Sequence, residues 1–531
     1  MNKGLLLVLL FAFSISCFVV DGQKPKAVHV LTSDEAKVVK KDAATLFNAG
    51  DYKGALGGYQ ELYKSAPQNA EYNYRLGYCY LMTTMNKPAS LKYLETANEA
   101  KDAKKEWLYY LGMSYMYNEQ WDDAIESFIS YNTATGSKVI KGSLTADRMI
   151  QMCNNGKELE DKPVNCTFTN LGKTVNTNQE EYNPFISADG KSLLFTSRRK
   201  GNSGGFIEEL NQIASDVYWT QWKDTIWTKS KNVGPNINSE SDEETVGISP
   251  AGDKIFIYFD NNSETFDDIG IATLKGKMWQ KPVMLPPQVN SIEYEGGATI
   301  SNDGNTIYFS STRKGGIGGI DLWMVKKDNA IWGAAINLGN SINSTYDETS
   351  PFLTLDGKKL YFASKGWNSM GDYDIFYCQW NENENKWGQP VNIGYPINNA
   401  DDNSFISFTG DERFAYMSAV RKGGLGDKDI YKIEFMDTTH HRFDHIITGN
   451  VSGTAGRIEV TKMLLTNKNT SEVKDYISWT VANYFVYPAQ PGEYTLKIEG
   501  YNFAPYSEDI TVDNNFPPLE INKVIKVQSS K

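Results

Sequence analysis

Few groups in the sequence could do covalent chemistry, and most of those recur. Gly201-Asn202-Ser203-Gly204-Gly205 brackets a serine with glycines, the pattern of a nucleophile turn that would need a histidine base and an acid to orient it. The same glycines return in Arg313-Lys314-Gly315-Gly316-Ile317-Gly318-Gly319 and in Arg421-Lys422-Gly423-Gly424-Leu425-Gly426. They therefore mark a repeated turn rather than one reactive loop. The chain has 4 histidines, His29, His440, His441 and His445, none of them inside the repeated region. The last three could be counted as metal ligands, but they stand beside Arg442 between two segments and read as a solvated linker. No metal and no cofactor is expected. Asp242-Glu243-Glu244, Asp347-Glu348 and Asp401-Asp402 could supply a glycosidase, which needs two carboxyl groups about 5 to 9.5 Å apart. They too recur at one place in the repeat, and side chains copied by symmetry serve architecture or a rim. Asp321 and Asp374, each ahead of a strand, read as turn caps.

The elements that would position these groups belong to an exported, acidic chain of 531 residues. Its 65 Asp plus Glu against 53 Lys plus Arg give a net charge of −12, without any basic block, so a phosphate-neutralising surface and a nucleic-acid partner are excluded. After Lys3 an apolar run reaches Val20, then Asp21, Gly22 and Gln23 turn polar, as in a secretory leader. Cleavage is expected after Gly22, with lipidation at Cys17, behind Ser14, Ile15 and Ser16, as the alternative. No later stretch is apolar enough to span a bilayer. The chain is expected in the periplasm or at the outer membrane; peripheral membrane association and the cell surface both stay open. Cys79, Cys153, Cys166 and Cys378 show no zinc spacing, and Cys153 with Cys166 is left open between a bridge and free thiols.

Small and aromatic residues repeat through the first part. Ala55, Ala89 and Ala124 lie 34 and 35 residues apart, with Tyr59, Tyr93 and Phe128 each four further on. Leu76-Gly77 and Tyr80 answer to Leu111-Gly112 and Tyr115, and Gly50-Asp51-Tyr52 marks an inter-helix turn. This pattern resembles the tetratricopeptide repeat, and implies an α-solenoid over residues 34–160, with residues 141–158 as a capping helix. In that family the first helix of each pair lines a concave groove. The resemblance maps Tyr74, Tyr78, Leu81, Tyr109, Met113 and Met116 onto it as a stripe for a partner segment. The alternative is that these side chains pack against the capping helix or the next domain.

The middle of the chain repeats more strongly. Asp189-Gly190, Ala251-Gly252, Asp303-Gly304, Asp356-Gly357 and Gly410-Asp411 are turn signals, each followed by an apolar-aromatic strand, a third strand opening on Asp, and in four copies a Trp-led fourth. Four strands per period predict propeller blades, five of them across residues 161–437. The fifth copy lacks its outer strand, and residues 167–172 supply a matching piece ahead of the first, so the two ends are expected to close one blade. Ser301-Asn302-Asp303-Gly304 and the strand to Ser311 resemble the PD40, WD40-like propellers of TolB type. Gly190 to Asp216 spans 26 residues, against 16 to 19 in the other copies. The added segment, with Phe206 and Leu210, is either a docking loop over one rim or a longer connection.

After a linker at residues 438–445, alternating strands lead to Pro491-Gly492-Glu493-Tyr494-Thr495-Leu496-Lys497-Ile498 and Gly500-Tyr501. Residues 446–531 read as a small Greek-key β-sandwich and resemble the carboxypeptidase regulatory-like domain, a name that implies no peptidase activity. The expected class is thus multidomain, α plus all-β: solenoid, five-bladed propeller, sandwich. In this order, behind a leader at residues 1–22, the segments resemble PorE-type periplasmic proteins of the type IX secretion and gliding machinery. The resemblance implies a non-enzymatic scaffold that holds envelope proteins in the helical groove and on the propeller face. Those relatives continue into an OmpA-like domain that grips peptidoglycan; this sequence reaches Lys531 just after the sandwich, and cell-wall binding is not carried over. The competing expectation is a glycan-binding protein or glycosidase that uses the propeller mouth.

Overall fold

The structure is a computed structural model. It describes residues 31–84, 86–207, 212–249, 252–260, 268–329, 331–436, 445–454, 458–476, 483–514 and 520–529. The leader with Cys17, the segment with Leu210, and His440 and His441 lie outside the described residues.

Seven α-helices come first among them: α1 (Ser33–Asn48), α2 (Tyr52–Ser65), α3 (Ala70–Leu81), α4 (Leu91–Asn98), α5 (Trp107–Tyr117), α6 (Trp121–Thr135) and α7 (Ala146–Glu160). Their starts are fixed by local chemistry. Thr32 and Glu35 form a reciprocal capping box at α1, while Asp51 accepts from the Gly54 amide at 2.7 Å to open α2. Pro88 instead favours a short 3₁₀ turn at Lys87–Ser90 ahead of α4. The helices pair α1 with α2, α3 with α4 and α5 with α6, and α7 packs on α6. Gly112 shows why the period carries small residues: a Cβ there would lie 2.7 Å from the Phe128 ring. At Gly156 in α7 it would lie 2.8 Å from the Trp121 ring, so α7 closes the stack through the same close approach. These are tetratricopeptide-like hairpins. The helix expected from residue 141 begins at Ala146, because the Thr145 hydroxyl accepts from the Arg148 amide and Gly142 takes a positive φ of 80°.

Five antiparallel sheets follow. In the first, Glu181–Ile186, Ser192–Ser197, Asp216–Lys223 and Ile226–Trp227 run from the inside outwards. The innermost strands of the others are Asp242–Ile248, Glu295–Ile300, Glu348–Leu353 and Ile406–Phe408. Ile186, Ile248, Ile300, Leu353 and Phe408 all line one mouth, so the sheets stand round a common axis as a β-propeller. Cys166–Asn170 pairs antiparallel with Asp429–Phe435, from Cys166 against Phe435 to Asn170 against Tyr431. The strand ahead of the first copy therefore completes the last, and the ring is closed by backbone hydrogen bonds.

The C-terminal part is β-rich. Tyr484–Ala489, His445–Gly453 and Glu520–Val527 form one sheet; Val473–Tyr476, Glu459–Asn467, Gly492–Tyr501 and Tyr506–Val512 form the other. Ile447, Met463, Phe485, Tyr487, Leu496 and Ile498 are buried in the core they share. His445–Gly453 and Glu520–Val527 run parallel, a pairing that strand periodicity alone does not reveal. His445 is a correction to the linker reading: it opens a strand opposite Ala489 and is buried, because the sheet begins one residue earlier than the apolar alternation suggests. No described helix is long and apolar enough to cross a membrane. Cys79, Cys153, Cys166 and Cys378 are free, so Cys153 and Cys166 do not bridge.

Candidate functional site

The glycine-bracketed serine is held by its repeat. Both the amide and the hydroxyl of Ser203 donate to Asp216, at 3.0 and 3.1 Å, and Asn232 donates to the same carboxylate from the outer strand at 2.6 Å. Asp321 accepts from the Ile317 and Gly318 amides and from Asn337; Asp374 accepts from Met370, Gly371 and Asn392. In the closing blade Asp429 takes Leu425 and Asn170. In four blades one carboxylate thus ties the glycine loop to the fourth strand. The one described histidine, His445, belongs to the C-terminal sheets, and no cluster of metal-ligating side chains occurs among the described residues.

A second carboxylate recurs on the innermost strand: Glu181, Glu243, Glu295 and Glu348, each at most 1% exposed. Each accepts from the amide and hydroxyl of the Thr or Ser four residues earlier, as Glu348 does from Ser344 at 2.8 and 2.6 Å. Asn403 occupies this position in the fifth blade and accepts from the Asn399 amide at 2.9 Å. Compensation differs from blade to blade. Arg199 pairs with Glu181 at 3.2 Å and Arg313 with Glu295 at 2.9 Å. The fourth blade has Gly366 in place of the arginine, and the second pairs Glu243 with Phe259, where the first blade pairs Glu181 with Ser197. Burial then dominates, and the carboxyls of Glu243 and Glu348 are both pushed up to about 7. Shifted pKa values often mark catalytic acids, but here four symmetric copies share the same turn-capping bonds. The apolar mouth of the propeller brings no carboxylate: Ile186, Ile248, Phe352, Leu353 and Phe408 line it together with threonines.

The helical stripe lies inside the molecule. Leu81, Tyr109 and Met116 are 2%, 2% and 3% exposed, and with half-buried Tyr74, Tyr78 and Met113 they belong to one core that also contains Met370 and Ala400 of the propeller. The Tyr109 hydroxyl donates to the Leu144 carbonyl at 2.9 Å, just ahead of α7. Tyr74 stacks on Trp107 with ring centroids 4.5 Å apart, and Tyr78 packs edge-on against Tyr52 and Tyr110. Of the two readings of this stripe, these contacts belong to packing against the capping helix and the next domain. Met149 and Met152 of α7 and the propeller loops that carry Met370 and Ala400 pack into this core.

Arg148 of α7 fastens this seam. Its guanidinium donates to the carbonyls of Lys365 (2.8 Å), Gly366 (3.0 Å) and Trp367 (3.2 Å) and to the Ser369 hydroxyl (2.8 Å), and lies 4.9 Å from the Tyr346 ring centroid. Asn155 donates to the Ser369 carbonyl at 2.9 Å, and Lys87 forms an ion pair with Asp401. Nothing in the repeat pattern singles out Arg148; an arginine facing inward on a terminal helix is the only hint.

Phe206 is 59% exposed on a short hairpin, Phe206–Ile207 against Gln212–Ile213. It borders a cleft of about 630 Å³ between the first blade and the helices, where Tyr52, Met82 and Thr84 face Glu180, Arg198 and Asp427. Lys53 spans the cleft to Asp427 at 3.2 Å. Of the stripe and loop residues, the structure leaves Phe206 outward; its expected partner Leu210 lies outside the described residues. Such surfaces can hold a chain, and they bring no nucleophile and base together.

The chain matches no protein-family model and no curated protein. Among solved structures, its helical part is similar to MamA (41-end) from Desulfovibrio magneticus RS-1, at 23% identity over 24% of this chain and 68% of that one, with a TM-score of 0.21. The first TPR of Spaghetti (RPAP3), bound to the HSP90 peptide SRMEEVD, is 14% identical over 24% of this chain and 98% of that one, with a TM-score of 0.21. The tricorn protease is 12% identical over 65% of this chain and 33% of that one, with a TM-score of 0.31.

Proposed function

We propose that the chain is a non-enzymatic scaffold of the cell envelope, which presents partner proteins with surfaces fixed relative to one another. The observation that carries this reading is the seam: Arg148, Asn155 and Lys87 join the helical repeats to two loops of the propeller, and the repeats' aromatic face is buried there. A fixed joint leaves the outward clefts in constant geometry, which suits assembly better than turnover. Each carboxylate series recurs in four blades as turn and strand ties, and this further favours a structural role. The five-bladed ring, the regulatory-like sandwich and the domain order agree with the resemblance to PorE-type proteins, and on it we place the chain in the periplasm or at the outer membrane, within a secretion or gliding complex.

Crosslinking in intact cells, followed by co-purification and mass spectrometry, tests the proposal. Envelope proteins retained by wild-type chain and lost when Phe206 is replaced by Glu are the expected outcome. Turnover of a glycan by the purified chain, abolished by Glu243→Gln or Glu348→Gln alone, would sink the reading and establish the glycosidase.

A further inference from the structure

Arg421 stands at the blade position of Arg199 and Arg313, but its internal partner is missing. In the first and third blades the guanidinium meets Glu181 or Glu295, and its Nε donates to Ser197 at 2.8 Å or Ser311 at 3.0 Å. In the fifth blade Asn403 replaces the glutamate and Ala419 the serine. Arg421 keeps the pose, with Nη2 donating to the Pro396 carbonyl at 2.7 Å and the guanidinium 3.4 Å from the Phe168 ring centroid. Its Nε is buried without a partner, and no carboxylate among the described residues pairs with it.

This arginine opens on a cleft of about 450 Å³ between α3–α5 and the fifth blade, lined also by Lys87, Tyr117, Glu119, Asp401 and Lys422. Asp401 is neutralised by Lys87. Glu119 accepts from the Tyr395 hydroxyl at 3.4 Å and offsets part of the field of Arg421. Lys422 is exposed, so the cleft keeps an excess positive charge on a chain whose net charge is −12. The sister blades show what a guanidinium in this pose takes: a carboxylate, in charge-assisted hydrogen bonds.

We propose that this cleft is a binding site for a carboxylate of an acidic partner peptide, which reaches Arg421 from the cleft and supplies the negative charge that Glu181 and Glu295 give their arginines from within the blade. The site does not depend on the scaffold reading, since it is measured on the purified chain alone.

The probe is a labelled deca-glutamate peptide, with free or amidated C-terminus, titrated by fluorescence anisotropy at low salt against the full chain. Saturable binding is expected, weakened at least ten-fold in Arg421→Gln. Asn403→Glu is expected to weaken it as much while its melting temperature stays equal or rises, because the added carboxylate reaches Arg421 from inside. Lys422→Gln should cost two- to three-fold. Loss on amidation assigns the C-terminal carboxylate, and indifference assigns side chains; either supports the site. Absent binding by wild type, unchanged affinity in both Arg421→Gln and Asn403→Glu, or displacement by inorganic phosphate at far lower concentration than by acetate would overturn it.

Discussion

Glu348 is fully buried and accepts three hydrogen bonds from Ser344 and Ser364, yet it has no cation beside it. Hydroxyls and an amide stabilise the anion less than the lost hydration did, so the proton is retained to about pH 7, against an ordinary value of 4.5. Between those two pH values the native chain holds a proton that the unfolded chain has released, so stability falls as pH rises through the window. Glu348→Gln removes the titration and keeps the acceptor, as Asn403 does in the fifth blade. Urea unfolding at pH 4.5 and pH 8 should therefore show the variant gaining on wild type by on the order of 2–4 kcal/mol across the window. An unchanged difference at both pH values would contradict it. The recurrence of these carboxylates is plain in the sequence, and with it their structural role. Their pairing is not: Glu295 and Arg313 lie 18 residues apart and meet because the strand register sets Glu295 opposite Ser311, two residues before the arginine.

At the scale of elements, the strand that closes the ring has a testable ladder. The Leu171 amide donates to the Ile430 carbonyl and the Met436 amide to that of Asn165, so Thr167 and Thr169, on the same alternation, turn their amides towards the partner strand. Thr169→Pro removes one of these donors and strands a carbonyl of Lys432, and should lower unfolding stability by roughly 2–3 kcal/mol, whereas Thr169→Val should leave it within about 0.5 kcal/mol. Chemical denaturation followed by tryptophan fluorescence reads both. Residues 167–172 were legible as this strand because the copies could be aligned and one lacked its edge. The strand Val473–Tyr476 was not, since it is four residues long and carries charged side chains, although Asn467-Lys468-Asn469-Thr470-Ser471 ahead of it is a turn signal. The stripe of Tyr74, Tyr109 and Met116 was legible as a continuous surface, but the sequence left it open whether a partner or the chain itself covers it. Helical spacing fixes which residues share a face, whereas the choice between partner and self depends on Met370 and Ala400, more than 200 residues further along the chain.

For the whole molecule, the question is whether the domains unfold together. Arg148 satisfies three carbonyls and a hydroxyl of the fourth blade from a helix of the other domain, and no described carboxylate pairs with it, so its charge is held by carbonyl and side-chain dipoles and the face of the Tyr346 ring. Replacing it with Met keeps the stem in the seam and leaves those acceptors buried without donors, at a cost of roughly 2–4 kcal/mol. Helical repeats can unfold unit by unit, whereas a closed ring resists local opening, so the two parts have different intrinsic stabilities once uncoupled. Calorimetry of the wild type should show the helices and propeller melting in one transition. In Arg148→Met the helical signal at 222 nm should be lost several degrees before the tryptophan signal of the blades. The C-terminal sheets touch the propeller through a small apolar cluster of Ala188 with Ile446 and Val486, and through Lys191 with Glu520 and Tyr484 with Asp189, at 2.6 and 2.9 Å, a thinner joint whose ion pair is screened by salt. They should accordingly melt independently in both proteins, and high salt should weaken the ion pair of Lys191 with Glu520 at this joint while leaving the contacts of Arg148 intact, because those are buried hydrogen bonds to neutral acceptors rather than an exposed charge pair.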